Sequence, residues 1–337
     1  MSKRILVTGG AGYIGSHVCK QLGEAGFELV VYDNLSTGNE KAVLFGELVK
    51  ADLSDLGKLD SVFKQYQFDG VMHFAGSIIV PESVENPLLY YTNNTLNSLN
   101  LIKMCKKHNV ENFIFSSTAA VYGIPEGSEA SEESETNPIN PYGQSKLMTE
   151  HMLRDTSFAS DNFNYVALRY FNVSGADLDG KLGQAFPGAT HLIKVNCEAA
   201  VGKRDKTYIF GTDFETPDGT GVRDYIHVVD LASAHVDAIN YLFKNKKSQV
   251  LNCGYGHGFS VKEVIEAVKS VTKVDYEVVE SGRRAGDPAK LISRATKIKD
   301  TLGWCPKYDD LNLIIKTAFD WEGGDTYKSW SSDKLIK

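Results

Sequence analysis

The sequence predicts an α/β fold in which helices cover both faces of a doubly wound parallel sheet, and three observations support this prediction. Short apolar runs alternate with stretches of helical periodicity along the first half of the chain. The first run ends in a glycine-rich turn that leads into a helix pattern, as in nucleotide-binding βα units. The second half is less regular and is rich in Gly, Asp and aromatic residues between Asn172 and Tyr225. We therefore expect a Rossmann-type domain over 1–172 with a return segment near 225–250, and a smaller mixed α/β substrate-binding domain over 173–337.

The individual elements follow from the spacing of apolar residues. Apolar runs that stop at polar or glycine residues predict buried strands at Ile5–Val7, Leu29–Tyr32, Gly70–Phe74, Phe113–Phe115 and Tyr165–Arg169. Helical spacing predicts a helix from Tyr13 to about Ala25, then Asn93–His108, a helix carrying Tyr142 and Lys146, Val228–Leu242 and Val261–Ser270. The acidic run Glu126–Thr136 shows neither an apolar run typical of a buried strand nor the spacing of a helix, and it predicts a surface loop. Because parallel sheets bind ligands beyond the carboxyl ends of their strands, the residues that follow these strands are the candidate site.

Composition argues against several classes of protein. With 337 residues, 42% of them hydrophobic and 23% charged, the chain resembles a globular protein of one large domain or two ordinary ones. The net charge of −7 argues against a nucleic-acid partner, and no apolar run approaches the roughly 20 residues that span a bilayer. Five cysteines without a C-x-x-C pair predict reduced thiols and a cytoplasmic protein. No His, Cys and acidic cluster has metal-ligand spacing, so we expect no metal.

A candidate nucleotide-binding loop follows the first predicted strand. Gly9, Gly12 and Gly15 form a G-x-x-G-x-x-G run between a strand and a helix. Glycines there permit a tight turn and close approach of the backbone to a pyrophosphate, which the helix N-terminus favours electrostatically. Asp33 ends the next strand, 18 residues after Gly15. A carboxylate there can accept hydrogen bonds from a ribose and repels a 2′-phosphate, which favours NAD over NADP. The alternative for Asp33 is a helix cap or turn.

A tyrosine and a lysine four residues apart form the candidate catalytic pair. On a helix this spacing places Tyr142 and Lys146 on one face. A tyrosine keeps its proton until about pH 10, and a neighbouring cation favours the phenolate and lowers the pKa. The pair can therefore act as a proton-transfer group. The alternative is a solvated helix face, because Y-x-x-x-K often arises by chance.

Together with Thr118, these residues resemble the extended short-chain dehydrogenase/reductase superfamily and, more closely, its UDP-glucose 4-epimerases. The similarity covers nearly the whole chain and rests on the stretches Val7–His17, Asp33–Leu35, His73–Gly76, Tyr90–Asn94, Phe115–Gly123, Leu168–Asn172, Asp218–Val228 and Arg283–Asp287. The resemblance implies reversible inversion at C4 of a UDP-hexose by transient oxidation with tightly bound NAD, rotation of a 4-keto intermediate and return of the hydride. It also implies a homodimer in which residues 93–108 and the Tyr142 helix form the contact.

The resemblance implies a role for each matching residue. Tyr142 takes the proton of the sugar 4-hydroxyl, Lys146 binds the nicotinamide ribose, and Thr118 bonds to the reacting oxygen. Besides Tyr142 and Lys146, the implied cofactor-binding residues are Gly9, Gly12, Tyr13, Ile14, Gly15, Asp33, Asn34, Ser36, Asp52, Leu53, Phe74, Ala75, Gly76, Asn93 and Phe171. Besides Thr118, the implied substrate-binding residues are Asn172, His191, Leu192, Tyr208, Phe210, Arg223, Arg284, Asp287 and Leu291. The arginines suit a diphosphate because guanidinium groups form forked hydrogen bonds to it; structural ion pairs are the alternative.

Three positions depart from the pattern of some epimerases. Ile78 stands where some carry a lysine near the cofactor, and His191 stands where some carry an asparagine against the nucleotide. Leu291 stands where some carry a tyrosine near the sugar. Because leucine is shorter than tyrosine, we expect room for an N-acetyl group at C2, and therefore acceptance of UDP-N-acetylglucosamine and UDP-N-acetylgalactosamine.

Two alanines distinguish an epimerase from relatives that oxidise C4 and then eliminate water or carbon dioxide. Those relatives carry acids after the threonine, whereas this chain has Ala119 and Ala120, whose methyl groups cannot move a proton. One alternative is another NAD-dependent nucleotide-sugar oxidoreductase, which would consume external NAD(H). The other is a non-enzymatic NAD-binding protein, which we would expect to lose Tyr142 or Lys146.

Overall fold

The computed structural model describes residues 2–332 except Ser128, Pro187 and Ala285; Ser128 belongs to the predicted acidic loop and Ala285 to the Arg283–Asp287 stretch. Its strands are β1 Arg4–Thr8, β2 Glu28–Asp33, β3 Glu47–Lys50, β4 Gly70–His73, β5 Asn112–Thr118, β6 Glu129–Ala130, β7 Asn164–Tyr170, β8 Asn172–Ser174, β9 Lys206–Phe210, β10 Val222–Arg223, β11 Tyr225–His227, β12 Gln249–Cys253, β13 Phe259–Ser260, β14 Glu277–Ser281 and β15 Lys290–Ser293. Its α-helices are α1 Tyr13–Glu24, α2 Leu56–Tyr66, α3 Val80–Glu85, α4 Pro87–Tyr90, α5 Asn97–Lys107, α6 Pro141–Phe158, α7 Leu192–Ala200, α8 Val228–Asn245, α9 Val261–Thr272, α10 Thr296–Leu302, α11 Leu311–Gly323 and α12 Asp325–Ser332.

Seven parallel strands form the central sheet, in the order β12-β7-β5-β4-β1-β2-β3. The chain builds outward from β1 to β3 on one side, and then crosses over to build from β4 to β12 on the other. This reversal between β1 and β4 leaves a crevice at the carboxyl ends of the two strands, where parallel sheets bind ligands. The predicted doubly wound parallel sheet is confirmed.

Two apolar layers hold the sheet between helices. Successive residues of a strand point to opposite faces, so the adjacent residues Leu6 and Val7 are both fully buried but belong to different layers. The layer containing Val7 includes residues of α1, α7, α8, α9 and α11, and the layer containing Leu6 includes residues of α2, α5 and α6. Helices on both faces explain why the strands are nearly continuous apolar runs.

The second half of the chain forms smaller sheets and also returns once to the central sheet. Helix α8 packs against α1, and β12 pairs with β7 at one edge. The remaining strands form a four-stranded sheet of order β13-β10-β15-β6 and the pairs β11-β8 and β14-β9. Arg223 in β10, Leu291 in β15 and Phe210 in β9 therefore come from three different short strands.

Two expectations about local structure need correction. The acidic run is not all loop, because β6 pairs with β15 and Ala130 is fully buried; two residues are too few to show a strand period in the sequence. The helix expected from Asn93 begins as a π-helical turn over Tyr91–Leu96, followed by α5. Such turns occur frequently at functional sites. In the described part of the chain, no helix combines the length and apolar character needed to cross a membrane.

Candidate active site

A cavity of about 1400 Å³ opens at the carboxyl ends of the central strands. Every residue that the sequence predicts to be catalytic, cofactor-binding or substrate-binding lines this cavity. The cavity is larger than the about 300–1000 Å³ of most small-ligand pockets, which suits two ligands side by side. The fold thus brings together positions that are far apart in the sequence, and the role of each remains a prediction.

The glycine loop leaves the first turn of α1 accessible to an anion. Gly9 has a φ of +72°, and a Cβ there would lie 2.5 Å from the backbone of the segment after β4. A Cβ on Gly15 would overlap the carbonyl oxygen of Gly9. Gly12 is the N-cap of α1, and no side chain caps this helix. The N–H groups of the first turn of α1, which begins with Tyr13 and Ile14, therefore have no side-chain acceptor and can bind a phosphate.

Asp33 fixes the adjoining edge of the glycine loop. Its carboxylate accepts the N–H of Ala11 at 2.9 Å and the N–H of Leu35 at 2.8 Å. Burial raises the pKa of Asp33, and these two hydrogen bonds oppose the rise. The sequence left two roles open for Asp33: accepting hydrogen bonds from a ribose, or capping a turn. The two roles are compatible, because the same carboxylate holds the turn and lines the cavity.

Polar groups continue the cavity wall beyond Asp33. The side chain of Asn34 donates to Asp52 at 2.7 Å and accepts the N–H of Ser36 at 3.0 Å. Hydrogen bonds, above all that of the Ser54 hydroxyl, lower the pKa of Asp52. Leu53 is buried beside it. This wall presents one apolar side chain and several acceptors, as an adenosine would require.

The opposite wall comes from the segment after β4 and from the π-helical turn. The N–H groups of Phe74 and Ala75 both donate to the last carbonyl of β1, at 2.9 and 3.1 Å. Gly76 keeps space beside the catalytic helix, since a Cβ there would lie 3.6 Å from the ammonium of Lys146. Asn93 donates to the hydroxyl of Ser77 at 2.9 Å. This wall therefore lies between the glycine loop and the candidate catalytic pair.

Tyr142, Thr118 and Lys146 meet where β5 ends and α6 begins. The phenol of Tyr142 and the hydroxyl of Thr118 both line the cavity, and the influence of Thr118 acts to lower the pKa of the phenol, which burial raises. That hydroxyl accepts the N–H of Ala120 at 3.1 Å, so its own proton is available to the tyrosine oxygen. Lys146 is 3% exposed, and its ammonium donates to the carbonyl of Ser116 at 2.9 Å. Within the described residues, no carboxylate lies within 4.0 Å of this ammonium.

The pKa values of this pair correct one expectation. Burial raises the pKa of Tyr142, and the hydrogen bond with Thr118 opposes that rise. Burial also lowers the pKa of Lys146, to about 8. The lysine was expected to bring the tyrosine pKa below its ordinary value, but in the protein alone burial is the largest influence on the phenol and raises its pKa.

A buried polar network supports the catalytic helix, and the sequence assigned no role to any of its members except Tyr142. Asn94, 2% exposed, donates to the hydroxyl of Ser145 at 3.0 Å. That hydroxyl donates to the carbonyl of Tyr142 at 2.7 Å. Two turns further along α6, Glu150 forms a buried ion pair with Arg169 of β7 at 2.6 Å. These contacts join residues far apart in the chain, so they fix the tyrosine in a way that local patterns do not reveal.

The far end of the cavity carries two arginines and an aromatic surface. The guanidinium of Arg223 lies 3.7 Å from the carboxylate of Asp287. The guanidinium carbon of Arg284 lies 3.7 Å from the ring centre of Phe210, and burial lowers the pKa of this arginine. Tyr208 is 42% exposed, and its ring centre is 5.9 Å from that of Phe210. Cations for a diphosphate and rings for a base thus occur together.

The remaining predicted residues lie between the two ends. Asn172 begins β8 directly after Phe171. His191 is the N-cap of α7 and Leu192 its first residue, and no side chain caps this helix. Leu291 packs against the buried apolar cluster that contains Phe171. The cavity is therefore lined by a second uncapped helix N-terminus besides the one at the glycine loop.

Comparison with known proteins gives one consistent result. The profile of the NAD dependent epimerase/dehydratase family matches residues 5–254. A UDP-glucose 4-epimerase of Azospirillum brasilense is 52% identical over 322 residues, which are 95% of this chain and 92% of that protein. The UDP-Glc/GlcNAc 4-epimerase of Campylobacter jejuni superimposes with a TM-score of 0.85 at 54% identity, covering 95% of this chain and 99% of that chain. The UDP-glucose 4-epimerase of Brucella ovis in complex with NAD superimposes with a TM-score of 0.92 at 44% identity, covering 96% and 99%.

Proposed function

The chain belongs to the NAD dependent epimerase/dehydratase family, in its UDP-glucose 4-epimerase branch, and on that premise we propose that Tyr142, Thr118 and Lys146 are its catalytic residues. The enzyme reversibly inverts C4 of a UDP-hexose with NAD as cofactor. The observation that carries the proposal is that Tyr142 and Thr118 line the same cavity as the glycine loop and as the buried ammonium of Lys146, which has no carboxylate partner among the described residues.

The residues present fit NAD. The uncapped start of α1 suits the pyrophosphate, the glycine cradle has no room for a Cβ, and Asp33 suits the adenosine ribose. Lys146, Asn93 and Phe171 would hold the nicotinamide end. When bound, NAD would supply reversible hydride transfer at C4 of the sugar, so the reaction has no net oxidation. Gly12, Tyr13, Ile14, Asn34, Ser36, Asp52, Leu53, Phe74, Ala75 and Gly76 would complete this half of the cavity.

Tyr142 moves the proton of the 4-hydroxyl. Its phenolate accepts this proton as C4 is oxidised and returns it when C4 is reduced. Thr118 directs its hydroxyl hydrogen to the reacting oxygens, because its lone pair already accepts the N–H of Ala120. The Lys146 ammonium favours the phenolate by its charge. Burial makes the phenolate hard to form, so the Thr118 hydroxyl and the charge of Lys146 decide how much phenolate exists near neutral pH.

The chemistry stops at C4 because of the two residues after Thr118. Ala119 and Ala120 both line the cavity, and a methyl group neither gives nor takes a proton. Loss of water from C6 needs acid and base groups at this position. Once oxidised, the sugar can only turn in the cavity and be reduced again, on the same or the opposite face. Return on the opposite face inverts C4.

The UDP portion binds at the far end of the cavity. Arg223 and Arg284 would carry the diphosphate, with Phe210 and Tyr208 beside the base. Asn172, His191, Leu192 and Asp287 would complete this subsite. Leu291 leaves more space near the sugar than a tyrosine would, which supports acceptance of the N-acetylated UDP-hexoses. The other departure from the family pattern, Ile78, is 45% exposed at the cavity and cannot replace a lysine's charge.

We also propose the division and assembly that the sequence suggests. The NAD-binding part comprises 1–172 with the return segment near 225–250, and 173–337 forms the UDP-sugar-binding part. A homodimer through residues 93–108 and α6 is supported by an apolar patch across these helices: Leu96 and Met148 are 49% and 36% exposed. The hydroxyl of Thr95 lies 3.9 Å from the Met148 sulfur, so the patch is continuous. The cytoplasmic location expected from the cysteines stays a prediction.

One experiment tests the function. The purified protein is incubated separately with UDP-glucose and with UDP-N-acetylglucosamine, and the products are identified by NMR. We expect UDP-galactose and UDP-N-acetylgalactosamine, without added NAD. Stoichiometric consumption of external NAD(H) would instead indicate a dehydrogenase or reductase. The Y142F variant is the matched control: it should still bind NAD and UDP but lose most turnover, and unchanged turnover would contradict the role of Tyr142.

A further inference from the structure

Two histidines in this chain are the N-cap residues of helices, and they behave differently. His227 precedes α8 with φ −68° and ψ 133°, and its Nδ1 accepts the N–H of Val229 at 3.1 Å. His191 precedes α7 with φ −68° and ψ 135°, yet its side chain makes no capping hydrogen bond. Since the backbones are nearly identical, something else prevents His191 from capping its helix.

The difference lies in the partner of the His191 Nδ1 atom. The side-chain amide nitrogen of Gln184 lies 3.0 Å from this atom. An amide N–H donates, so Nδ1 is the acceptor and the proton of the neutral ring is on Nε2. Burial, together with the nearby Lys194 ammonium, lowers the pKa of His191, which keeps the ring neutral. Its Nε2–H has no hydrogen-bond partner within the described residues, in a ring that lines the cavity.

Gln184 is held in position by the rest of the fold. It is 7% exposed, and its backbone carbonyl oxygen accepts the ammonium of Lys194 at 2.9 Å and the indole N–H of Trp321 at 3.3 Å. Lys194 is itself buried in an ion pair with Glu322 of α11. The backbone at Gln184 is therefore held by contacts with α7 and α11 rather than by the ligand, and the buried side chain reaches His191 from this fixed point.

We propose that Gln184 is a positioning residue of the UDP subsite: it occupies Nδ1 of His191, so the N-terminus of α7 stays uncapped and Nε2–H faces the diphosphate as a donor. This inference rests on the proposed function. It adds how a histidine at position 191 can donate a hydrogen bond to the nucleotide where some epimerases carry an asparagine. An asparagine amide is always a donor, whereas a neutral histidine donates from Nε2 in only one tautomer. Gln184 selects that tautomer. An uncapped helix N-terminus and an added N–H donor both favour an anion.

The first test removes the amide with Q184L and measures UDP binding by isothermal titration calorimetry. Leucine fills similar space without a donor, so His191 can turn to cap α7 through Nδ1, as His227 caps α8. We expect the Kd for UDP and the KM for UDP-glucose to rise about tenfold, the scale of a lost hydrogen bond to a charged group. The kcat should stay within about threefold, since the chemistry at Tyr142 is untouched. A Kd within about twofold of wild type would overturn the inference.

The second test reads the tautomer directly. In proton–nitrogen correlation spectra of protein labelled with ¹⁵N-histidine, an acceptor ring nitrogen and a protonated one have distinct shifts. The ring missing from the H191N spectrum identifies His191. We expect its proton on Nε2 in the wild type and on Nδ1 in Q184E, because a carboxylate only accepts. A wild-type ring protonated on Nδ1 would overturn the inference whether or not Q184L folds well.

The third test separates action through His191 from a general effect on the fold. In H191N the side-chain amide of the asparagine is the donor, and an amide donates whatever Gln184 does. Adding Q184L to H191N should therefore change the Kd for UDP less than about twofold. An equal loss in both backgrounds would mean that Gln184 acts on the fold alone, and would overturn the inference. Failure of the proposed function would be distinct, since the wild type itself would then not bind UDP.

Discussion

Replacing Thr118 by valine removes one hydroxyl from the candidate active site and keeps the shape of the side chain. In the native chain this hydroxyl accepts the N–H of Ala120 at 3.1 Å. Burial raises the pKa of Tyr142, and hydrogen bonding by the Thr118 hydroxyl opposes the rise. T118V therefore leaves the effect of burial unopposed and makes the phenolate scarcer.

The size of the effect follows from the energy of that hydrogen bond. A hydrogen bond to a charged group contributes about 1.5–3 kcal/mol, and one pKa unit corresponds to about 1.4 kcal/mol. We expect the pKa of Tyr142 to rise by about one to two units, and kcat near pH 7 to fall about 10- to 100-fold. Because the phenolate is the active form, the loss is largest at low pH and shrinks as the pH rises toward the new pKa.

The assay is the pH profile of kcat for UDP-glucose epimerisation. T118S is the matched control, since it keeps the hydroxyl, and its kcat should stay within about threefold of wild type. Valine also leaves the N–H of Ala120 without its acceptor, which costs about 1 kcal/mol of stability, so Tm is measured in parallel. A folded T118V enzyme with kcat within about twofold of wild type from pH 6 to 9 would refute the role of Thr118.

Three further predictions follow from the same site. Lys146→Met removes the buried ammonium, so kcat should fall at least about 100-fold and the purified protein should release less NAD on denaturation; full turnover would contradict the role of the cation. Leu291→Tyr should raise KM for UDP-N-acetylglucosamine at least about tenfold while KM for UDP-glucose stays within about threefold, and equal effects on both sugars would argue against a size gate. Glu150→Ala leaves the buried guanidinium of Arg169 unpaired, so the free energy of unfolding in urea should drop by about 3–5 kcal/mol. A drop below about 1 kcal/mol would mean that this pair does not anchor α6.

The central sheet could be predicted because its signals are local. Leu6 and Val7 lie in one short apolar run, and the glycines that follow are close enough in sequence to be recognised as a turn into a helix. The spacing of Tyr142 and Lys146 already places them on one face of α6, and the structure shows both lining the same cavity as the glycine loop.

What could not be predicted depends on contacts between distant residues. Asn94 reaches Ser145 across 51 positions, and the backbone carbonyl of Gln184 contacts Trp321 across 137; the sequence assigned a role to neither residue, although Asn94 lies in the matching stretch Tyr90–Asn94. The direction of the Tyr142 pKa was misjudged for the same reason, since the neighbouring cation is visible in the sequence and burial is not. Residues in motifs were therefore found, and residues that hold the motifs in place were not.

The most direct test of the central claim follows the hydrogen at C4. UDP-glucose carrying deuterium at C4 is incubated with the enzyme in ordinary water, and the UDP-galactose formed is examined by proton NMR. If one closed site removes and returns the same hydrogen, the product keeps its deuterium and the H4 signal stays absent. A product that gains H4 from the solvent would contradict transient oxidation with hydride return.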